Sequence, residues 1–575
     1  MKGSSNRVLR RTVFFTLALL ATSGFFALLP QQETAFADAG VTTHWTSVLP
    51  PVIAILVALF YRSLIAALTT AFLTGSVLAF GFTLRTLPTA VDEFVIGNLQ
   101  ARFNIYIFGF LFVLVGLIHV INRNGGIQGA IRQIERLVRG PRSAKVSVGL
   151  AGLAVFFDDY SNTVVVGSTM RSLSDRWKIS REKLAYLVDS TTAPVAGLAV
   201  ISTWIAFEVS LFQGVTEQLG LEIGGYDLFL TILPLRFYCL ATLAFVFLTS
   251  AMNRDFGPML RAERRAATTG ELVAPGSRPL VSSYPAINLE NHPPAHWLHA
   301  VLPLAVVILG AFGGIIFYGY LLLRESGSPF SVFSPTDLRR SFGAVSAAYE
   351  TGGVMMVLFL AAVAGSLVAI VLSIARRLLT WKEALGCYVK TLRFLGMAIF
   401  ILVMAWSMKS ICGDALHTDL YLLSVVGDQI PAGLVPLVTF LLAAGMSFAL
   451  GTSWGTMGIL IPILLPFAHA VGTAEGAGTS IFILTAAAIL DGAIFGDHCS
   501  PISDTTVLSS LSTGCDHLDH VNTQLVYALT SMLGAASLGY LAAGFGAGGA
   551  VFYLGFPVAA VLLLVLVGRN PLRSA

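Results

Sequence analysis

The chain has 575 residues, of which 55% are hydrophobic and only 11% are charged, and its formal net charge is +4. Soluble domains carry about 25% charged residues, so this composition, with a mean hydropathy of +0.79, excludes an ordinary soluble protein. Runs of about 20 apolar residues recur along the chain, as in helices that cross a bilayer. We therefore predict an all-α polytopic membrane protein, whose excess positive charge lies in short loops and reports topology rather than nucleic-acid binding.

The first segment, 1–37, has four basic residues, then an apolar run over 13–29, and it ends in Ala35-Phe36-Ala37. This pattern fits a signal peptide with small residues at its cleavage site, and it fits a retained first transmembrane helix equally well. Both interpretations place residue 38 outside the cytoplasm. The five cysteines show neither zinc-like spacing nor the pattern of a disulfide framework.

Four loops are rich in Lys and Arg, namely 123–145, 171–183, 254–278 and 376–393. The positive-inside rule places all four in the cytoplasm. The first two loops flank one segment, 146–170, which must then enter the membrane and return to the same face. We interpret 146–170 as a re-entrant hairpin whose tip, at 158–163, is covered by protein or by a wet cavity.

The tip motif occurs twice. Ala154-Val-Phe-Phe-Asp158-Asp-Tyr-Ser161 matches Ala493-Ile-Phe-Gly-Asp497-His-Cys-Ser500. Because no Lys or Arg occurs between 410 and 568, we expect both flanks of 480–511 on the outer side, which makes it a second hairpin entering from the opposite face. The sequence thus predicts two inverted-topology repeats, each with a re-entrant hairpin and a broken transmembrane helix. The first repeat covers 38–252, a cytoplasmic linker covers 253–296, and the second repeat covers 297–575.

The two tips and the adjacent Asp189-Ser190-Thr191-Thr192-Ala193-Pro194 supply carboxylate, hydroxyl and amide oxygens, which suit a hard cation such as Na⁺. A carboxylate at membrane depth is costly, so its default interpretation is an ion or proton site. The other interpretation, that an aspartate caps a half-helix, stays open for Asp159, and His498 is either a proton relay or a structural histidine. The candidate ion-binding and proton-coupling residues are Asp158, Asp159, Ser161, Asn162, Thr163, Asp189, Ser190, Asp497, His498, Ser500, Ser503, Asp504 and Thr505.

Gly451-Thr452-Ser453-Trp454-Gly455-Thr456 joins two apolar runs and indicates a second broken helix. We expect Thr452, Ser453, Trp454 and Thr456 to line a cavity, although close packing of small residues would explain the same pattern. Glu208 is expected at the outer end of its span, as a solvated residue rather than an entry-side acid.

Several long stretches resemble the NhaC-type sodium/proton antiporter family, within the wider ion-transporter superfamily. They are 156–163, 179–186, 189–194, 451–456 and 495–505, and the resemblance extends over roughly 45–565. It implies secondary antiport without an enzymatic reaction or a cofactor, and it marks Ser161-Asn162-Thr163 and Ser503-Asp504-Thr505 as sodium motifs. Na⁺ is then expected at Asp158, Asn162, Asp497 and Asp504.

The leading functional hypothesis is Na⁺/H⁺ antiport in the plasma (bacterial inner) membrane, with small cations and lipid as partners and a homodimer as a compatible assembly. A Na⁺- or H⁺-coupled exchanger of amino acids or small carboxylates is the first alternative. The second, from another class, is an intramembrane aspartyl protease, in which two carboxylates share a proton. The chain has no Gly-x-Gly before Asp497, which disfavours the protease.

Overall fold

The computed structural model describes residues 34–36, 41–61, 63–136, 138–277, 279, 296–325, 330–331, 334–348, 351–426 and 430–572. Almost all of the signal-peptide or first-helix segment 1–37, and most of the second part of the linker, lie outside these residues. Strand β1 (Thr34–Phe36) pairs antiparallel with strand β2 (Val41–Thr43). The remaining elements are helical, as the composition predicts.

The helices of the first half and the linker surround one large apolar core. In chain order they are α1 (Leu49–Tyr61), α2 (Leu64–Phe80), α3 (Thr86–Ala90), α4 (Gly97–Gln100), α5 (Arg102–Arg123), α6 (Gly126–Glu135), α7 (Pro141–Ala154), α8 (Asp159–Ser161), α9 (Gly167–Arg176), α10 (Arg181–Asp189), α11 (Ala193–Ala196), α12 (Thr203–Gln218), α13 (Gly225–Ile232), α14 (Phe237–Met252) and α15 (Gly257–Thr269). Short 3₁₀ turns cover Trp45–Val48 and Leu233–Leu235, and π-helical turns cover Val91–Ile96 and Asn162–Val166.

The second half contributes α16 (Leu298–Glu325), α17 (Pro335–Ala347), α18 (Gly353–Ala375), α19 (Trp381–Lys409), α20 (Thr418–Val426), α21 (Val435–Leu450), α22 (Ser453–Ala474), α23 (Ser480–Cys499), α24 (Asp504–Thr513), α25 (His517–Gly534), α26 (Ala542–Gly544) and α27 (Ala550–Leu566). A 3₁₀ turn covers Ala432–Leu434, and π-helical turns cover Ser410–Ala415 and Ala535–Leu541.

Seven of the described helices are long and apolar enough to cross a membrane, or eight if the pair Gly225–Leu235 and Phe237–Met252, bent by 45°, counts as one broken span. The seven are Arg102–Arg123, Leu298–Glu325, Gly353–Ala375, Ala432–Leu450, Ser453–Ala474, Ser480–Cys499 and His517–Gly544. The protein is therefore a multi-pass helical membrane protein.

Both ends of the 146–170 segment meet at one carboxylate. Glu263 of α15 forms an ion pair with Lys145, near the start of α7. It also accepts hydrogen bonds of 2.9 Å from the backbone N and the Oγ of Ser180, beyond the end of α9. Between these ends the chain breaks at 155–158, where the Asp158 side chain caps the next turn. Lys145 and Ser180, which flank the segment, thus lie beside the same carboxylate.

The neighbouring Asp255 completes a buried group of four charges with Lys145, Lys183 and Glu263. Its Oδ1 lies 2.8 Å from Lys183 Nζ, and its Oδ2 lies 3.7 Å from Lys145 Nζ. Burial acts to raise the pKa of Asp255, but the two ammonium groups outweigh it and hold that pKa below its usual value. The four charges balance, which makes their burial tolerable.

The two flanks of the 480–511 segment lie far apart. Its first residues pack near Ala432, in a cluster that includes Ile481, and Gly433 approaches Gly544. Its last residues lead into the helix His517–Gly544, whose 28 residues span about 42 Å. The two flanks of 480–511 thus lie at opposite ends of this helix, an arrangement that differs from the predicted hairpin with both flanks on the outer side.

The C-terminal flank of the 480–511 segment lies beside the basic loops 171–183 and 254–278, on a side of the bundle that we call the basic face. Arg171 Nε and Arg181 Nη1 donate hydrogen bonds to the carbonyl oxygen of Thr513, at 3.1 and 2.9 Å. Past α27, the chain end returns to the same face, where Arg254 donates to Gly568 O and Asp255 pairs with Arg569 through the backbone. Absence of Lys and Arg between 410 and 568 did not mark an outer flank, because the partner cations come from the first half.

Candidate functional site

A cavity of about 140 Å³ lies between the two halves. Four of its lining residues are aspartates, two from each copy of the repeated motif or the turn that follows it. No Lys or Arg is among the lining residues. The lining comprises Leu111, Val115, Asp158, Asp159, Tyr160, Thr203, Leu395, Ile401, Thr452, Ser453, Trp454, Asp497 and Asp504.

The first-half aspartates lie where the chain turns back at 155–158. Asp158 Oδ2 accepts the Ser161 N–H at 2.8 Å, and its Oδ1 accepts the Thr203 hydroxyl at 3.3 Å. Asp159 Oδ1 accepts the Tyr160 N–H at 2.9 Å. The capping role that the sequence left open for Asp159 therefore belongs to Asp158, and both carboxylates face the cavity.

The second-half aspartates flank the break between α23 and α24, at Pro501. Asp497 accepts the Ser503 hydroxyl at 2.8 Å and the Ser453 hydroxyl at 3.0 Å. Asp504 Oδ1 accepts the Thr505 N–H at 2.8 Å, and its other oxygen accepts the Tyr160 hydroxyl from the first half. The tyrosine thus joins the two halves directly across the cavity.

The broken helix after α21 forms another wall. Gly451 has φ +67°, the left-handed conformation that glycine adopts without strain, and Thr452 then caps α22. This turn places Thr452, Ser453 and Trp454 at the cavity wall, and the Trp454 ring stacks on Phe207 at 4.4 Å. Thr456 is not among the lining residues, because its hydroxyl donates to Thr452 O at 3.0 Å.

Most of the predicted neutral ligands serve the backbone or other side chains instead of the cavity. The Asn162 amide donates to the carbonyl oxygens of Gly152, Val155 and Thr191. Ser161 Oγ accepts from Asn122 Nδ2 at 3.0 Å, and Thr163 donates to Asp159 O at 2.9 Å. In the second half, Ser500 donates to Phe448 O at 2.7 Å, and Thr505 Oγ1 lies 3.0 Å from Ser503 Oγ.

Asp189, Ser190 and His498 lie apart from the cavity, in a buried polar cluster that sequence reasoning found only in part. Asp189 accepts from Ser509 at 3.1 Å and from Gln524 at 2.7 Å, and it pairs with His520 at 3.2 Å. The ring nitrogens of His498 lie 2.9 Å from Ser190 Oγ and 2.7 Å from Tyr238 Oη. His520 and Gln524 share one face of α25 at i and i+4, a spacing that could have marked them.

The four predicted Na⁺ ligands do not form a single coordination shell. Among the described residues, no three His, Cys, Asp or Glu side chains are close enough to hold a metal ion together, and the Asn162 amide is engaged with backbone carbonyls. Asp158, Asp497 and Asp504 nevertheless share one cavity. What the arrangement offers is a small, uncompensated acidic chamber lined by hydroxyl groups.

Two further charged residues were misjudged or missed. Glu208, predicted to be solvated, is 0% exposed. Arg236, which the sequence analysis did not single out, is also 0% exposed and reaches Asp491 of α23. The second half lacks cations of its own in 410–568, but the first half places one inside it.

Comparisons with known proteins agree with this architecture. The model of the Na⁺/H⁺ antiporter family matches residues 195–545. An uncharacterized protein of Haemophilus influenzae is 29% identical over 530 residues, covering 91% of this chain and 94% of that protein. The malate-2H⁺/Na⁺-lactate antiporter of Bacillus subtilis is 37% identical over 144 residues, which cover 21% of this chain and 29% of the relative.

The crystal structure of the YdaH transporter of Alcanivorax borkumensis superposes with a TM-score of 0.55 at 16% identity, over 94% of this chain and 98% of that one. At this identity the likeness concerns the fold alone. It shows that the helical arrangement is one found in a membrane transporter.

Proposed function

The chain belongs to the Na⁺/H⁺ antiporter family, and from this premise we propose that it is a secondary active transporter that exchanges Na⁺ for H⁺ through the aspartate-lined cavity. The observation that carries the proposal is the convergence of Asp158 and Asp159 with Asp497 and Asp504 around one chamber that no Lys or Arg lines.

The chemistry of the chamber favours a small hard cation. Carboxylate and hydroxyl oxygens are the ligands that such ions prefer, and several carboxylates near one another cannot all be ionised at low cost without a cation between them. Either protons or a Na⁺ ion can supply the missing positive charge. Competition between H⁺ and Na⁺ for the same carboxylates gives exchange without any covalent step or cofactor.

We propose that the halves are inverted repeats of unequal form. The return of 146–170 to the face of Glu263 supports a re-entrant hairpin in the first half, and the path of 480–511 supports a broken span in the second. Access would alternate by movement of the hairpin and α23–α24 relative to the rest, with Tyr160 and Asp504 parting across the cavity. The plasma (bacterial inner) membrane and a homodimeric assembly are part of the same proposal.

The first alternative is a Na⁺- or H⁺-coupled exchanger of small carboxylates or amino acids. The relative from Bacillus subtilis, named as a malate-2H⁺/Na⁺-lactate antiporter, favours it. An organic anion, however, needs a cationic partner at membrane depth, and the buried guanidinium of Arg236 is engaged by Asp491 outside the cavity. The aspartyl protease has less support still, since the family is one of transporters.

The test uses purified protein in liposomes that hold a pH-sensitive dye. After a proton gradient is imposed, Na⁺, Li⁺ or K⁺ is added to the wild type, to Asp158→Asn and to Asp497→Asn. We expect a Na⁺-dependent pH change in the wild type that both variants lose. Asp92→Asn, on a π-helical turn that does not line the cavity, is the matched control and should behave as the wild type.

If no cation elicits a pH response from the wild type, Na⁺/H⁺ exchange is refuted. The same vesicles loaded with malate, lactate or an amino acid then test the first alternative, because a labelled solute would exchange across the membrane, in the presence of Na⁺ if Na⁺ is the coupling ion and without it if H⁺ is.

A further inference from the structure

Glu208 is a buried carboxyl group without a hydrogen-bond partner. It lies in the middle of α12 and is 0% exposed. Among the described residues, neither of its carboxylate oxygens accepts a hydrogen bond. The nearest charged atom is Arg236 Nη1, 3.9 Å from Glu208 Oε1, which is beyond hydrogen-bond range. An ionised carboxylate buried in this way loses its hydration and gains little in return.

The carboxylate of Asp491, in contrast, accepts several hydrogen bonds. Asp491 accepts Arg236 Nε at 2.9 Å, the Tyr238 N–H at 2.5 Å and the Tyr540 hydroxyl at 2.7 Å. Cys239 Sγ adds a fourth contact at 3.2 Å. These donors stabilise negative charge on Asp491. Arg236 Nη1 also donates a hydrogen bond to Gly197 O at 3.0 Å.

The charges of this site do not balance unless one proton is added. One guanidinium faces two carboxylates, and all three side chains are 0–1% exposed. The charged groups whose fields reach Glu208 are Arg236 and Asp491.

Among the described residues, the elements packed against α12 add no second ion pair to Glu208. Arg102, Glu217 and Lys409 surround a separate cavity at the far end of α12. On α5, the histidine His119 faces Asp158 and Lys390 instead, and α13 carries Asp227 in its first turn. On α22, His469 contacts the ring of Phe482.

We propose that Glu208 is a proton-binding site, separate from the aspartate cavity, and that Arg236 controls its occupancy. While Arg236 remains with Asp491, Glu208 holds the proton as a neutral carboxylic acid. When Asp491 withdraws, the guanidinium turns to Glu208, the O–H bond breaks, the proton passes to water admitted by the movement, and the carboxylate that forms pairs with Arg236.

The site is mechanically joined to the cavity. Asp491 and Asp497 lie on the same helix, α23, about 9 Å apart along its axis. A displacement of α23 that changes the surroundings of Asp497 therefore also changes the distance between Asp491 and Arg236. The resting proton on Glu208 does not depend on which ion is exchanged, whereas its release during transport rests on the proposed function.

Infrared difference spectroscopy of the purified protein tests the resting proton directly. A protonated carboxylic acid has a C=O stretch that an ionised carboxylate lacks and that shifts in D₂O. Wild type minus Glu208→Gln should show this band at neutral pH. Glu217→Gln, a change on the same helix outside the site, is the control and should leave the band in place.

A second variant tests whether Arg236 controls the proton on Glu208 or whether burial alone keeps it there. In Asp491→Asn the guanidinium has one carboxylate left, so Glu208 should ionise and its band should vanish although Glu208 is intact. If wild type minus Glu208→Gln lacks the band, or if the band survives in Asp491→Asn, the proposal is overturned.

Transport then tests the coupling. In liposomes, Glu208→Gln should carry fewer protons per Na⁺ than the wild type, and an unchanged ratio would refute release during transport. A wild type that shows the infrared band but no Na⁺-driven pH change would instead refute the proposed function and leave the proton site standing.

Discussion

The contact between α21 and α23 depends on glycines, and Gly496→Ala should disrupt it. A methyl group at Gly496 would lie 2.5 Å from Ser447 Cβ and 2.6 Å from Ala444 O, and would also meet Phe448 N. Carbon atoms normally approach to about 3.5–4.0 Å, so the two helices must separate by about 1 Å. Two of the three obstructing atoms belong to the backbone and cannot rotate away.

Overpacking of this kind costs about 1–3 kcal/mol, while alanine regains up to about 1 kcal/mol of helix propensity over glycine. The cost here should lie in the upper part of that range, at about 2–3 kcal/mol, because backbone atoms obstruct the methyl group. After the gain in helix propensity is subtracted, we expect Gly496→Ala to lose about 1–2 kcal/mol of unfolding free energy. Gly445→Ala, on the facing helix α21, is the matched control. No atom lies within 4 Å of its added methyl group, so it should gain up to about 1 kcal/mol.

The assay is denaturant-induced unfolding of both purified variants in the same detergent, followed by Na⁺ transport in liposomes. Because Gly496 precedes Asp497, the separation should also displace the cavity carboxylate, and transport should fall in Gly496→Ala alone. If Gly496→Ala is as stable as Gly445→Ala, the close approach of the two helices is not what holds this part of the site together.

At the basic face, Asp255→Asn should cost about 3–5 kcal/mol because two buried ammonium groups lose a partner. Since the pKa of Asp255 is lowered in the folded protein, the wild type should keep this stability at higher pH and lose it below about pH 4, and acid unfolding curves should show that step only in the wild type. Ala477→Cys and Leu518→Cys should react with an impermeant maleimide from opposite sides of the membrane, because the two residues flank 480–511 at its opposite ends. The native cysteines are buried and should not react. Labelling of both variants from one side would contradict the crossing of 480–511. Tyr160→Phe frees Asp504 from a competing donor, so half-maximal transport should need up to about tenfold less Na⁺, and a higher requirement would count against a role for Asp504.

The repeated motif drew attention to Asp158 and Asp497, which both line the cavity, whereas Asp189, also a predicted ligand, lies apart from it. A duplicated Asp in an apolar stretch can be neutralised only by function or by a partner, and both copies lead to the same interface. The neutral ligands could not be predicted with equal success. A buried hydroxyl can serve an ion or its own backbone, and Thr163 and Thr456 both donate to carbonyls four residues earlier, an option that sequence alone does not exclude.

The topology of the second half shows the limit of charge counting. The positive-inside rule depends on cations near the membrane, so a stretch without Lys or Arg does not indicate on which side of the membrane it lies. Thr513 lies on the basic face because Arg171 and Arg181 bind its carbonyl, and both arginines are far away in sequence. Glu208 was misplaced for a similar reason, since its charged neighbours among the described residues, Arg236 just before α14 and Asp491 of α23, come from other parts of the chain.

The four-charge group of Lys145, Lys183, Asp255 and Glu263 also bears on how the protein is made. Its cations are synthesised first, and Asp255 follows 72 residues after Lys183, as Glu263 follows 83 residues after Ser180. Until the linker emerges from the ribosome, the ammonium groups have no partner and must remain at the membrane surface, where they stay hydrated. We therefore expect the early helices to insert before this buried group of charges closes, and the segment with Asp255 and Glu263 to complete it last.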